Sequence, residues 1–117
     1  MSGVNRIKCE NRAGFVLKFM VVWANGGSNW SNTFSNPESG TIDLDGFNIS
    51  EGATLWIQVD AIGGKTKTSS QSVTFSPDTG LAVYKVKGGV DDYSITLESD
   101  SLESGNGAPG GAANPGG

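Results

Sequence analysis

The sequence contains no histidine, and Cys9 is its one cysteine among 117 residues. Without histidine the commonest general base and metal ligand is missing, so Ser-His and Cys-His nucleophile systems are excluded by inventory. A lone cysteine excludes an internal disulfide and any paired-cysteine zinc site. Cys9 therefore reads as a small apolar side chain buried on the first strand. Positive charge is sparse too: eight Lys and Arg stand against twelve Asp and Glu, leaving a formal charge of −4. The basic residues are scattered at Arg6, Lys8, Arg12, Lys18, Lys65, Lys67, Lys85 and Lys87. No basic stripe forms, so nucleic acid is not expected as a partner and attraction to an anionic membrane surface is disfavoured.

Sequence motifs of catalysis are lacking as well. There is no G-x-S-x-G element. Gly63-Gly64-Lys65-Thr66 ends like a phosphate-binding loop, but it lacks the upstream glycine and lies between strands, not before a helix. A pair of carboxylates could in principle hydrolyse glycosides, yet the acids lie mainly in or near turns. The expectation is a protein that is not an enzyme and takes no cofactor.

Long hydrophobic runs are absent. The most apolar segment, 15–24 (FVLKFMVVWA), carries Lys18 at its middle and Glu10 in its basic flank, and is too short to span a bilayer. It reads as a strand, neither export signal nor anchor, which suggests cytoplasmic synthesis and leaves release open. Asn29-Trp30-Ser31 and Asn48-Ile49-Ser50 have the form of glycosylation acceptors, relevant only in a eukaryotic secreted protein. The stretch 104–117 (SGNGAPGGAANPGG) has no large apolar side chain and is expected to be a flexible tail. Residues 1–103 remain as a single domain, large enough for one core without much surplus.

What the sequence does contain is a series of short β-prone runs separated by Gly, Asn, Ser and Pro. Strands are predicted over 5–12, 15–24, 30–35, 40–45, 53–62, 66–76, 80–87 and 92–99. No helical spacing and no fixed repeat interrupts them. This spacing predicts an all-β fold: an antiparallel Greek-key sandwich, immunoglobulin-like or similar, of seven or eight strands. The Cys…Trp…Cys pattern of true immunoglobulin domains is absent.

Alternation assigns the faces. Phe15, Leu17, Phe19, Val21 and Trp23 share one side of the second strand. Its other side, Val16, Lys18, Met20, Val22 and Ala24, is largely apolar too, which predicts a central strand covered at least partly by another layer or partner. Leu55, Ile57, Val59 and Ala61 face the core, leaving Thr54, Trp56, Gln58 and Asp60 outside. Ala82, Tyr84 and Val86 alternate against Leu81 and Val83, and Tyr93, Ile95 and Leu97 line one face of the last strand.

The hairpin around Gly63-Gly64 poses a parity problem. A two-residue loop pairs Asp60 with Lys67 but turns Val73 and Phe75 outward. A three-residue loop, or a bulge within 69–72, restores them to the core. The polar run 66–72 favours the bulge, as an arm reaching beyond the core. A second Gly-Gly turn at 87–92 is expected to join the last two strands.

The candidate ligand-binding residues are Trp56, Trp30, Gln58, Thr54 and Asn32. An outward Trp beside amides and hydroxyls can stack on a sugar ring while they bond its hydroxyls, or it can anchor a protein partner. Asp43, Asp45, Asp91 and Asp92 are weak calcium candidates, since the EF-hand pattern is not met and solvated turn acids read better. Two function classes follow. The first is a non-catalytic recognition module for a glycan or cell-surface ligand. The second is a self-assembling or membrane-associating, toxin-like or structural β protein, acting by edge or face association as a homo-oligomer.

Overall fold

The computed structural model describes residues 3–77 and 80–99; the tail predicted for 104–117 lies outside them. Among the described residues there is no helix. The strands are β1 (Arg6–Asn11), β2 (Leu17–Trp23), β3 (Gly26–Gly27), β4 (Ser39–Asp43), β5 (Thr54–Ala61), β6 (Thr66–Thr68), β7 (Val73–Thr74), β8 (Leu81–Gly89) and β9 (Asp92–Ser99). They form two packed sheets, ordered β4-β1-β8-β9 and β3-β2-β5-β6, with β7 also on β5. Pairing is antiparallel except between β1 and β8, which run parallel. The all-β sandwich expected from the sequence is therefore present.

Period-two alternation builds the core. Leu17, Phe19 and Val21 meet Leu55, Ile57, Val59 and Ala61 on one inner face, and Ile7, Cys9, Ala82, Tyr84 and Val86 on the other are equally buried. Trp23 stands at the margin instead, half-buried and edge-on to Phe47 with ring centroids 5.8 Å apart. The outer side of β2 is not roofed by another layer of described residues. Val16 is 41% exposed there. Met20 and Val22 are half-buried, and Met20 leans across Gly27, where a Cβ would come 2.7 Å from its Cε.

The hairpin corrects the favoured register. Asp60 faces Thr66 and Val59 faces Lys67, so the loop is the odd one, 62–64. The register then steps by two residues between Gln58↔Thr68 and Leu55↔Val73. An irregularity does fall within 69–72, but it preserves parity and does not restore it. The run is not a projecting arm, because Ser69 is buried against Ile57. Lys67 turns to the inner side, where its Nζ donates to the Tyr93 carbonyl at 2.6 Å and lies 5.3 Å from that ring's centroid. The two glycines at 88–89 likewise belong to the end of β8; the turn itself is Val90-Asp91.

The predicted strand 30–35 is not one, and the reason is a serine device. Ser28 and Ser31 each donate a backbone N–H to β2, at the carbonyls of Val21 (2.8 Å) and Phe19 (2.7 Å). The hydroxyls then accept the N–H of those same two residues, at 2.9 and 3.0 Å. Each hydroxyl passes its own proton to a nearby carbonyl, of Asn29 and Asn32. Phe34 completes the row with a backbone pair to Leu17. The segment thus advances three residues for every two of β2, which closes the ladder without forming a strand. Ser69 repeats the device on Ile57, with 2.8 Å from its N–H and 3.1 Å to its hydroxyl. Ser69→Ala would strand the buried Ile57 N–H and is expected to cost about 1–3 kcal/mol in urea unfolding followed by Trp fluorescence. A variant indistinguishable from the parent would show that the hydroxyl is dispensable.

Candidate functional site

The odd hairpin loop and the β2–β5 register determine what shares the outer face of the β2-β5-β6 sheet. Across β2 and β5 the outward pairs are Lys18↔Asp60, Met20↔Gln58 and Val22↔Trp56. Across β5 and β6 they are Gln58↔Thr68 and Asp60↔Thr66. Trp56 is half-buried on this face, with Gln58 two residues along and exposed Thr54 on its other side. Polar contacts run beside it: Thr66 donates to Asp60 at 2.8 Å, and the Gln58 amide lies 3.4 Å from the Thr68 hydroxyl.

Lys18 links this patch to the edge of the sheet. Its Nζ is 3.9 Å from the Asp60 carboxylate and 5.0 Å from the centroid of Trp30. Both partners of that ion pair are about a third exposed, so it contributes little to stability and leaves the charges available. Trp30 itself is 38% exposed. It points outward because Ser28 and Ser31 are turned to β2 on either side of it.

The five sequence-predicted residues therefore separate into two groups. Thr54, Trp56 and Gln58 follow one another on the outer side of β5. Trp30 stands at the sheet edge beside Lys18. With Asn32 it lines an open groove of about 550 Å³ between the 30–34 segment and β4, together with Phe34, Gly40 and Ile42. Sequence reasoning placed Asp60 on this side of β5 but did not join Lys18, Thr66 and Thr68 to the face. The odd loop was the signal that would have placed the threonines.

The calcium candidates lie apart. Asp43 sits beside Arg6, which sits beside Leu81 at the start of β8, whereas Asp92 pairs Gly89 at its end. Asp43 Oδ1 accepts the Asp45 N–H at 2.9 Å, the ordinary role of a turn acid. Among the described residues no group of three His, Cys, Asp or Glu side chains could hold a metal. Nor is any helix among them long and apolar enough to cross a membrane.

Two buried groups have shifted acidity. Burial, and secondarily the charge of Glu10, pushes the Cys9 thiol up to about 12. Burial and then Asp60 also raise Tyr93, whose hydroxyl reaches the carbonyls of Lys65 (2.7 Å) and Val59 (3.1 Å).

Architecture and face together define a small two-sheet β domain with an uncovered aromatic and polar sheet surface. No family model matches the chain, and no curated protein matches it. Solved structures similar to it include two crystal structures. One is the crystal structure of listeriolysin O, with a TM-score of 0.47 and 13% identity over 80% of this chain and 22% of that one. The other is the crystal structure of a Gram negative toxin, with a TM-score of 0.48 and 20% identity over 82% of this chain and 23% of that one. The chain thus spans less than a quarter of either. Neither likeness bears on function.

Proposed function

We propose that this domain is a non-catalytic recognition module that binds a glycan or other cell-surface ligand on the outer face of β2, β5 and β6. The observation that carries the reading is Trp56 on a sheet face with no layer of described residues above it, ringed by groups that bond hydroxyls. An indole presents a flat apolar surface to the C–H face of a sugar. Gln58 and Thr68 supply donors and acceptors beside it, Asp60 an acceptor, and Lys18 a donor. None of these groups forms a nucleophile–base pair, which fits reversible binding.

The test is a titration followed by Trp fluorescence, using soluble oligosaccharides of β-glucan, chitin and mannan as probes. At least one is expected to shift the emission. Trp56→Ala should weaken that binding by about tenfold or more, in a domain that still unfolds in one cooperative transition. Emission indifferent to all three probes, or a Trp56→Ala protein that binds as well as the parent, would remove this reading.

A further inference from the structure

The sheet edges are treated unequally. In one sheet, the open side of β2 is closed by β3 and by the Ser28–Ser31 device. In the other, β9 has side chains on its outer rim: Lys67 Nζ donates to the Tyr93 carbonyl, and Gln71 Oε1 accepts the Leu97 N–H at 2.9 Å. β6 is only three residues long. Short strands and side-chain caps are what keep edges from pairing with other chains. β4 has neither protection.

Its register identifies the open groups. Backbone bonds Asn11 N–H to Glu38 and Leu44 N–H to Asn5 fix the even-numbered residues of 38–44 as those bonded to β1. The N–H and C=O groups of Ser39, Thr41 and Asp43 therefore point away from the sheet, and among the described residues they meet no partner. Beside them runs the groove over Phe34. Gly40 keeps it open: a Cβ there would come 3.0 Å from the Phe34 ring and 3.3 Å from that of Phe19.

We propose that β4 pairs antiparallel with β4 of a second copy of this chain, about a two-fold axis at Thr41. Centred there, Ser39 faces the second copy's Asp43 and Thr41 faces its own equivalent, so every outward N–H and C=O of these three residues gains a partner. Volume is complementary on the inner side: the second copy's Ile42 comes beside Gly40 and enters the groove over Phe34. Charge is compatible as well. Each Asp43 carboxylate meets a serine hydroxyl, Glu38 lies opposite Leu44, and no acid faces an acid. The symmetry is that of an isologous dimer, and the two four-stranded sheets become one continuous sheet. An unrelated extended peptide could satisfy the same backbone groups but would not supply this residue-by-residue match.

Sedimentation velocity on the full chain from about 10 µM to 1 mM tests the proposal. A monomer–dimer equilibrium is expected. Thr41→Lys places two ammonium groups opposite each other at the axis and should weaken the dimer about tenfold or more. Thr41 is exposed, so the melting transition of the dilute variant should match the parent. Amide exchange at Ser39, Thr41 and Asp43 should slow as concentration rises, and Trp56→Ala should dimerise like the parent. A chain monomeric throughout the range, a Thr41→Lys variant that dimerises equally, or a dimer with these three amides unprotected would each overturn it.

Discussion

Replacing Asn11 by alanine should destabilise the domain by about 3–5 kcal/mol, a large share of the roughly 5–15 kcal/mol that holds a domain of this size folded. Asn11 is completely buried where β1 ends. Its Oδ1 accepts the Ala13 N–H at 2.9 Å, and its Nδ2 donates to the carbonyls of Phe15 (2.8 Å) and Phe34 (3.0 Å). One side chain thus ties the end of β1, the approach to β2 and the segment that closes the edge of β2. Truncation leaves the Ala13 N–H and the Phe15 carbonyl to find water at the rim of the core, each costing about 1–3 kcal/mol unless the chain relaxes, and takes one of two donors from the Phe34 carbonyl, which keeps the Leu17 N–H. Asn11→Asp separates polarity from packing. It keeps the shape but aims a carboxylate at two carbonyl oxygens, which raises its pKa in the folded state. Stability from such a group is present at low pH and lost as pH rises through the folded value. Asn11→Asp should therefore be closer to the parent at pH 4 than at pH 7. Urea midpoints for the two variants decide the matter, and a loss under about 1 kcal/mol for Asn11→Ala would mean the loops do not depend on it.

The fold was legible where alternation was strict. Leu55, Ile57, Val59 and Ala61 are buried and their neighbours are not, as a half-buried strand demands. The failures fall where a polar side chain stands in for backbone. Ser31 and Ser69 fall within the runs 30–35 and 66–76 predicted as strands, yet they and Ser28 hold their ladder positions through hydroxyls where the chain is not a strand. A reading based on propensity alone cannot tell that role from solvation. The hairpin parity failed for a related reason. The polar run 66–72 suggested an arm with an even loop and a compensating bulge, but Ser69 is buried against Ile57 and the odd loop alone keeps Val73 and Phe75 inside. Lys67 was free to turn inward because the Tyr93 carbonyl and ring receive its ammonium.

The candidate face was half legible. Trp56 and Gln58 follow from period two on β5, and Trp30 stood out by its type. That Lys18 connects them depends on the β2–β5 register, which the apolar letters of 15–24 could not supply. The same letters suggested a covering layer over β2. The structure instead leaves that side open and lets Met20 and Val22 shelter against Gly27 and Trp56. A sheet side that is half apolar, with no layer of described residues above it, is the common origin of the recognition reading and of the expectation of face association. For assembly the edge at β4 replaces this face, because backbone groups and not side chains are unpaired there among the described residues.

The last expected result concerns Cys9. Its side chain is fully buried, on a residue flanked by Gly40 on one neighbouring strand and Tyr84 on the other. Burial comes first and the nearby Glu10 charge second in raising its folded value to about 12, against 9.0 for a free thiol. A raised folded value means that stability is intact below about pH 9 and is lost as pH climbs toward 12. Each pH unit inside that window removes up to about 1.4 kcal/mol. Tyr93 acts in the same direction above its ordinary value of 10.0, since burial and then Asp60 raise it too. Urea unfolding should therefore show the parent weakening steeply from pH 9 to 11, and Cys9→Ala, starting from a lower value, weakening less over the same interval. At pH 8 the native thiol should react with a disulfide reagent only as fast as the domain unfolds. Labelling at the rate of a free thiol, or an identical pH slope in Cys9→Ala, would show that Cys9 is not sealed in the core.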